Sequence, residues 1–218
     1  MANEGKRNTC PIGQVRWMMR PRLCLVTPTQ LTLEIAATLR HALEAGDVAS
    51  LLIDAAGADP VAVEAAIGGA VEHDVAAVII GQDLIGNADG IHIEPVVGAI
   101  HAARPTMSKH KIVGVGGIAT RHDAMTLGET QPDYLFFGRI DGDDQPAIHP
   151  RALELASWWA ELFQIPAMVM GGGEIESATS AAANRIEFVA FRRAVWDHPK
   201  GPREAVKAVN RLLDEASA

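Results

Sequence analysis

A chain of 218 residues with 48% hydrophobic and 21% charged residues is long enough for one domain with a sizeable core. No apolar run reaches the ~20 residues of a membrane span, and a formal net charge of -8 without a basic stripe argues against nucleic acid as a partner. The two cysteines, Cys10 in a polar leader and Cys24 in an apolar run, make no disulfide framework, so a reducing cytoplasm is the default compartment. The basic start, Met1 to Arg7, lacks the hydrophobic segment of a secretory signal. Residues 1–20 read as a loosely ordered leader, with Trp17, Met18 and Met19 open to packing on the domain or on a second subunit. A single domain follows over 21–218.

Arg22 to Val26 is a continuous apolar run, as expected of a parallel strand buried on both faces. A helix follows, capped by Thr29 or Thr32, with Leu33, Ala36, Leu39 and Leu43 on its inner stripe and Gly46 as its stop. Strand two, Val48 to Ile53, ends on Asp54. Its helix opens at Asp59-Pro60 and turns Val63, Ile67 and Val71 inward. Strand three is Val75 to Ile80, ending at Gly81-Gln82-Asp83, and strand four, Gly90 to Ile93, arrives after only Leu84 to Asp89. That gap is too short for a crossover helix of ordinary length. Helix four is Val96 to Ala103. Strand five, Lys111 to Val115, runs into Gly116-Gly117, and Thr120 to Asp123 has the form of a capping box.

Strand six is Asp133 to Phe137, ending at Gly138-Arg139 ahead of an acidic loop, Asp141-Gly142-Asp143-Asp144. Helix six starts near Pro150 and carries Leu153, Ala156, Trp159 and Leu162. Strand seven, Ile165 to Met170, feeds Gly171-Gly172-Gly173 and an Ala/Ser-rich helix, and strand eight, Ile186 to Phe191, ends on Arg192-Arg193. A last helix from Pro202 turns Val206, Val209 and Leu213 inward. Eight strands alternating with helices predict an α/β fold, a (β/α)8 TIM barrel with a shortened or missing helix between strands three and four. An open doubly wound sheet accommodates the short gap more easily but explains the strand count and the terminal glycines less well.

In such a barrel the loops after strands seven and eight form the standard phosphate site. Three consecutive glycines expose backbone N–H groups, and guanidinium groups close on a phosphate bidentately. Gly171, Gly172, Gly173, Arg192 and Arg193 are therefore the candidate phosphate-binding residues, with successive Arg192 and Arg193 expected to point one inward and one outward. Asp54, Asp83, Glu94 and Asp141 follow strand C-termini, where oxygen ligands for Mg²⁺ could converge; solvated loop acids are the plainer reading. His92 lies within strand four, for which a hydrogen-bonded core histidine is the plainer reading. His122-Asp123 reads as capping, and Trp158-Trp159 as helix packing plus one exposed indole.

The order of these motifs resembles the thiamin phosphate synthase family, which includes a thiazole tautomerase branch. Arg22 to Thr27 is similar to its opening strand, Ala88 to Ile93 to its Ala-Asp-Gly-Val-His-Leu signature, and Pro132 to Tyr134 with Phe137-Gly138 to its strand six. Pro166 to Gly172 is similar to its Pro-Val-Val-Ala-Ile-Gly-Gly strand seven, and Val189 to Val195 to its last strand. The resemblance implies an enzyme that couples an aminopyrimidine diphosphate to a thiazole phosphate with release of pyrophosphate, assisted by Mg²⁺. It implies phosphate contacts at Gly171 to Gly173 and a substrate pocket of Asp54, Gln82, His92, Gly116, Gly117, Gly138 and Arg139. Asp83 and Glu94 are the candidate metal acids.

Several family positions differ here. Leu52 to Ala56 stands where the family has Gln-Leu-Arg-x-Lys, Gly81-Gln82 where it has Asn-Asp, and Glu94 to Val97 where it has Gly-Gln-x-Asp. Gly116 replaces a serine, and the acidic loop replaces Thr-x-Thr-Lys. The alternatives to coupling are thus a thiazole isomerase or a catalytically silent phosphate-binding barrel. The expected partner is a phosphorylated small molecule, with no nucleic acid and no membrane, and a homodimer is a common assembly for a soluble chain of this size.

Overall fold

The computed structural model describes residues 20–94 and 110–218. The leader up to residue 19 and the expected helix at Val96 to Ala103 lie outside the described residues. The apolar runs form eight strands: β1 (Arg22–Val26), β2 (Val48–Asp54), β3 (Ala76–Ile80), β4 (Gly90–Ile93), β5 (Ile112–Ile118), β6 (Tyr134–Phe137), β7 (Ala167–Met170) and β8 (Phe188–Phe191). Each pairs in parallel with the next, and β8 returns to β1 through Leu23 opposite Val189, closing the barrel. Side chains alternate along a strand. One set, including Cys24, Leu52, Val78, Tyr134, Phe136 and Met168, fills the interior, and the other packs beneath the helices.

The helices are α1 (Leu33–Leu43), α2 (Pro60–Glu72), α3 (Arg121–Gly128), α4 (Pro150–Leu162), α5 (Ala178–Ala183), α6 (Arg193–Trp196) and α7 (Pro202–Ala216). Thr32, not Thr29, caps α1 by accepting from Ile35 N, and Asp59 caps α2 by accepting from Val61 N. Thr120 and Asp123 form the reciprocal box at α3. Leu33, Val71 and Leu162, expected on inner stripes, are 51%, 56% and 63% exposed. Each lies in a terminal turn, where a straight helix runs past the curved barrel wall.

Residues 81–89, between β3 and β4, contain only bends and a turn. The connection is held by Asp89, which accepts from Ala77 N through Oδ2 and donates its own N–H to Ala77 O, 2.7 Å away. β5 continues through Gly116 and Gly117 instead of stopping at Val115. Its register against β6 jumps between Val115 and Ile118, and Gly117 takes a left-handed φ of 70°, a bulge at the barrel rim. β7 and β8 begin two residues later than the apolar pattern suggests. Pro166 has no N–H to give the ladder, and Ile186 N is spent on Ala181 O at the end of α5.

Candidate functional site

The floor of the barrel is set by β4 and β6. His92 is fully buried, its Nδ1 shares a 2.9 Å hydrogen bond with the Tyr134 hydroxyl, and its ring meets Phe136 edge-on. Burial lowers its pKa to about 3, so the imidazole is neutral at physiological pH. The expected satisfied core histidine is only half realised, because Nε2 is buried without a hydrogen-bond partner. That nitrogen faces the mouth, 4.0 Å from Glu94 Oε1. A Cβ on Gly116 would stand 2.8 Å from His92 Nε2 and 3.2 Å from Glu94 Oε1, so the glycine leaves room for both. Partial burial, then the charge of Asp141, raises the Glu94 pKa and holds a proton nearer the carboxyl.

The rim after β7 differs from the expected array of free donors. Gly171 N donates to Ala190 O, Gly172 N to Ser177 Oγ (3.0 Å), and Gly173 N to Gln145 O (2.6 Å). The acidic loop after β6 folds onto the glycines, so closely that a Cβ on Gly172 would lie 2.1 Å from Pro146 O. Within that loop Asp143 is buried. Its carboxylate accepts from Arg193 N at 2.6 Å and from Arg193 Nε at 3.0 Å. Arg192 shares the inward parity of Ala190 and donates through Nη2 to the Thr29 hydroxyl after β1. Arg193 takes the other direction, between the β7 and β8 loops.

The remaining candidates are spread around the rim. Asp54 folds back on its own turn, its Oδ1 accepting from Ala56 N, and its N–H donates to the Thr27 hydroxyl. Gln82 and Asp83 are exposed on the β3–β4 connection. Gly138, at a φ of 102°, bends the chain after β6, and Arg139 beyond it pairs bidentately with Asp141 in the open. Gly117, Gly138 and Arg139 line a cleft of about 480 Å³ that runs down to Met170 and α4. A second recess, about 380 Å³, is lined by Thr29, Asp141, Arg192, Arg193 and Trp196. Among the described residues no three His, Cys, Asp or Glu side chains are placed to hold a metal.

The structure thus gathers His92, Glu94 and Gly116 at the floor, and Gly173, Arg192 and Arg193 at the rim beside them. It leaves Asp54, Gln82 and Asp83 apart. Three partners were not singled out from the sequence: Tyr134, Ser177 and Asp143. Asp143 carried a visible signal as part of the acidic run after strand six, and Tyr134 as part of the motif Pro132 to Tyr134. Trp159 is buried as expected, while Trp158 is half-buried with the Arg121 guanidinium 5.0 Å above its ring.

Among the described residues no helix is long and apolar enough to cross a membrane. Three comparisons with known proteins bear on this mouth. The family described as thiamine monophosphate synthase matches residues 23–195. The thiamine-phosphate synthase of Rhodospirillum centenum is 33% identical over 206 residues, covering 88% of this chain and 97% of the relative. That of Hyphomonas neptunium is 30% identical over 89% of this chain and 95% of its own length. A solved thiamine phosphate pyrophosphorylase from Pyrococcus furiosus superposes with a TM-score of 0.71 at 20% identity, over 93% of this chain and 99% of that one, a likeness of fold. The match runs from β1 into α6, and so includes His92, Glu94 and Gly116 at the floor and Gly173, Arg192 and Arg193 at the rim: the chain belongs to the thiamine monophosphate synthase family.

Proposed function

We propose that this barrel couples an aminopyrimidine diphosphate to a thiazole phosphate and releases pyrophosphate. The observation that carries the reading is the family match over residues 23–195, which spans the whole mouth. In the reaction the bond from the pyrimidine methylene carbon to the diphosphate oxygen breaks, and its electron pair leaves with pyrophosphate. The thiazole nitrogen then supplies the pair for the new carbon–nitrogen bond. A cation develops on the pyrimidine methylene between these events, and the neutral imidazole of His92 below the mouth adds no repelling charge to it.

The departing pyrophosphate needs cations, and electrostatic stabilisation of this kind is worth several kcal/mol. Asp54 stands where the family carries arginine, so that role falls to Arg139 and Arg192, both of which flank Asp141. The thiazole phosphate is assigned to the β7–β8 side, at Gly173 and Arg193. Gly116, Gly117 and Gly138 border the space between. Purified protein given both substrates should yield thiamin phosphate and pyrophosphate in equal amounts, read by chromatography of the product. Absence of product at saturating substrates would contradict the reading.

One observation favours a second reading. The free Nε2 of His92 beside a Glu94 biased toward its protonated form is suited to moving a proton, as a thiazole isomerisation requires. Isomerisation of the thiazole without coupling, followed by proton exchange into solvent deuterium, would select it.

A further inference from the structure

The rim contains a resident anion of the protein's own. Asp143 is the one carboxylate among the buried polar residues of the described chain, and its side chain is 0% exposed. It does not stand in the open like its neighbours Asp141 and Asp144. The two oxygens take the backbone N–H and the Nε–H of the same residue, Arg193, at 2.6 and 3.0 Å. A carboxylate receiving two N–H donors, one at each oxygen, occupies donors that a phosphate edge would use. The rest of its loop completes the arrangement, since Gln145 O and Pro146 O accept from Gly173 N and Glu174 N. Four donors after β7 and β8, Gly173 N, Glu174 N, Arg193 N and Arg193 Nε, are therefore filled by one internal segment, residues 143–146. The same loop neutralises the other rim cations, Asp141 pairing with Arg139 at 2.8 Å and lying near Arg192.

We propose that the acidic loop after β6 is a built-in cover for the phosphate position, with Asp143 as the surrogate anion that a phosphorylated ligand must displace. The inference rests on the assignment of the thiazole phosphate to Gly173 and Arg193. Two like charges cannot share the Arg193 donors, so binding a phosphate there ejects Asp143, breaks the bonds from Gly173 and Glu174 to the loop, and frees the loop to move. The cost of that displacement weakens apparent affinity by the fraction of time the position is open. The cover also gives selectivity. A ligand without a phosphate does not displace Asp143 and does not open the loop.

The test uses the full chain and inorganic phosphate as probe, followed by calorimetric titration. Asp143→Asn keeps the shape of the side chain and removes its charge, and should bind phosphate at least tenfold more tightly than the unaltered protein. Equal or weaker binding by a folded variant, or no binding by either protein, overturns the proposal. Should Asp143→Asn fail to fold, amide hydrogen exchange on the unaltered chain decides. Saturating phosphate should speed exchange at Glu174, whose acceptor Pro146 O lies in the loop, and unchanged exchange there overturns the proposal. The coupling reaction separates this inference from the reading beneath it. A gain in phosphate affinity with no thiamin phosphate from either protein keeps the cover and rejects the coupling. Product from the unaltered chain with no gain in the variant does the reverse.

Discussion

The floor and the rim of this barrel solve the problem of buried polarity in opposite ways. At the floor one imidazole is kept neutral, its Nδ1 tied to Tyr134 and its Nε2 left without a partner beneath the mouth. At the rim the arginines remain charged and are matched by acids from a single loop, Asp141 with Arg139 and Asp143 with Arg193. The floor is fixed by packing among β4, β5 and β6, where a Cβ on Gly114 would stand 2.0 Å from the Tyr134 ring and one on Gly116 2.8 Å from His92 Nε2. The rim is fixed by charge pairs at the surface, which a competing anion or salt can undo. Shape is therefore stored below and ligand response above, and mutations should divide along the same line.

The largest effect should come from emptying the floor. Phe136→Ala removes a fully buried ring that packs against His92, and should cost about 3–5 kcal/mol of stability, read from the denaturant midpoint. A loss below about 1 kcal/mol would mean that the floor is not close-packed. Next in size is the pH dependence of folding. His92 has a folded value of about 3, below the ordinary value near 6.5, so the unfolded chain binds the proton more readily. Its contribution is present above about pH 6.5 and is lost as pH falls toward 3, by up to about tenfold in the folding constant per pH unit. His92→Gln should flatten that slope; an unaltered slope would assign the acid sensitivity to other groups.

Smaller effects belong to the rim. Gly172→Ala drives a methyl group toward Pro146 O, 2.1 Å from the ideal Cβ position, and should cost about 1–3 kcal/mol by forcing the acidic loop outward. A variant as stable as the parent would show that the loop yields freely. Arg193→Ala should weaken thiazole phosphate about tenfold, by calorimetry. An unchanged dissociation constant would remove Arg193 from the site.

Much of this architecture was readable in the residues. Runs such as Leu23 to Val26 and Leu51 to Ile53 are apolar on both faces because each strand is covered inside and outside, and that fixes a parallel sheet. The caps at Asp59 and Thr120 were equally legible, since they depend on neighbours in sequence. What escaped were contacts across the barrel. Gly171 to Gly173 carry the composition of an open anion nest, yet their N–H groups end on Ala190, Ser177 and Gln145, two of which come from other loops or strands. Nothing local marks Asp143, among three neighbouring aspartates, as the one that turns inward. His92 was visible as an interior position of β4, but its partner Tyr134 lies 42 residues away and only the register of β4 to β6 brings them together.

The claim on which the account turns is that the anion of the substrate is held between the ends of β7 and β8. A crystal structure of the chain with thiazole phosphate tests it most directly. The phosphate oxygens should lie within hydrogen-bond distance of Gly173 N and Arg193 N, with the Asp143 carboxylate moved away from both. Phosphate bound instead in the cleft lined by Gly117, Gly138 and Arg139, with Asp143 still on Arg193, would contradict it.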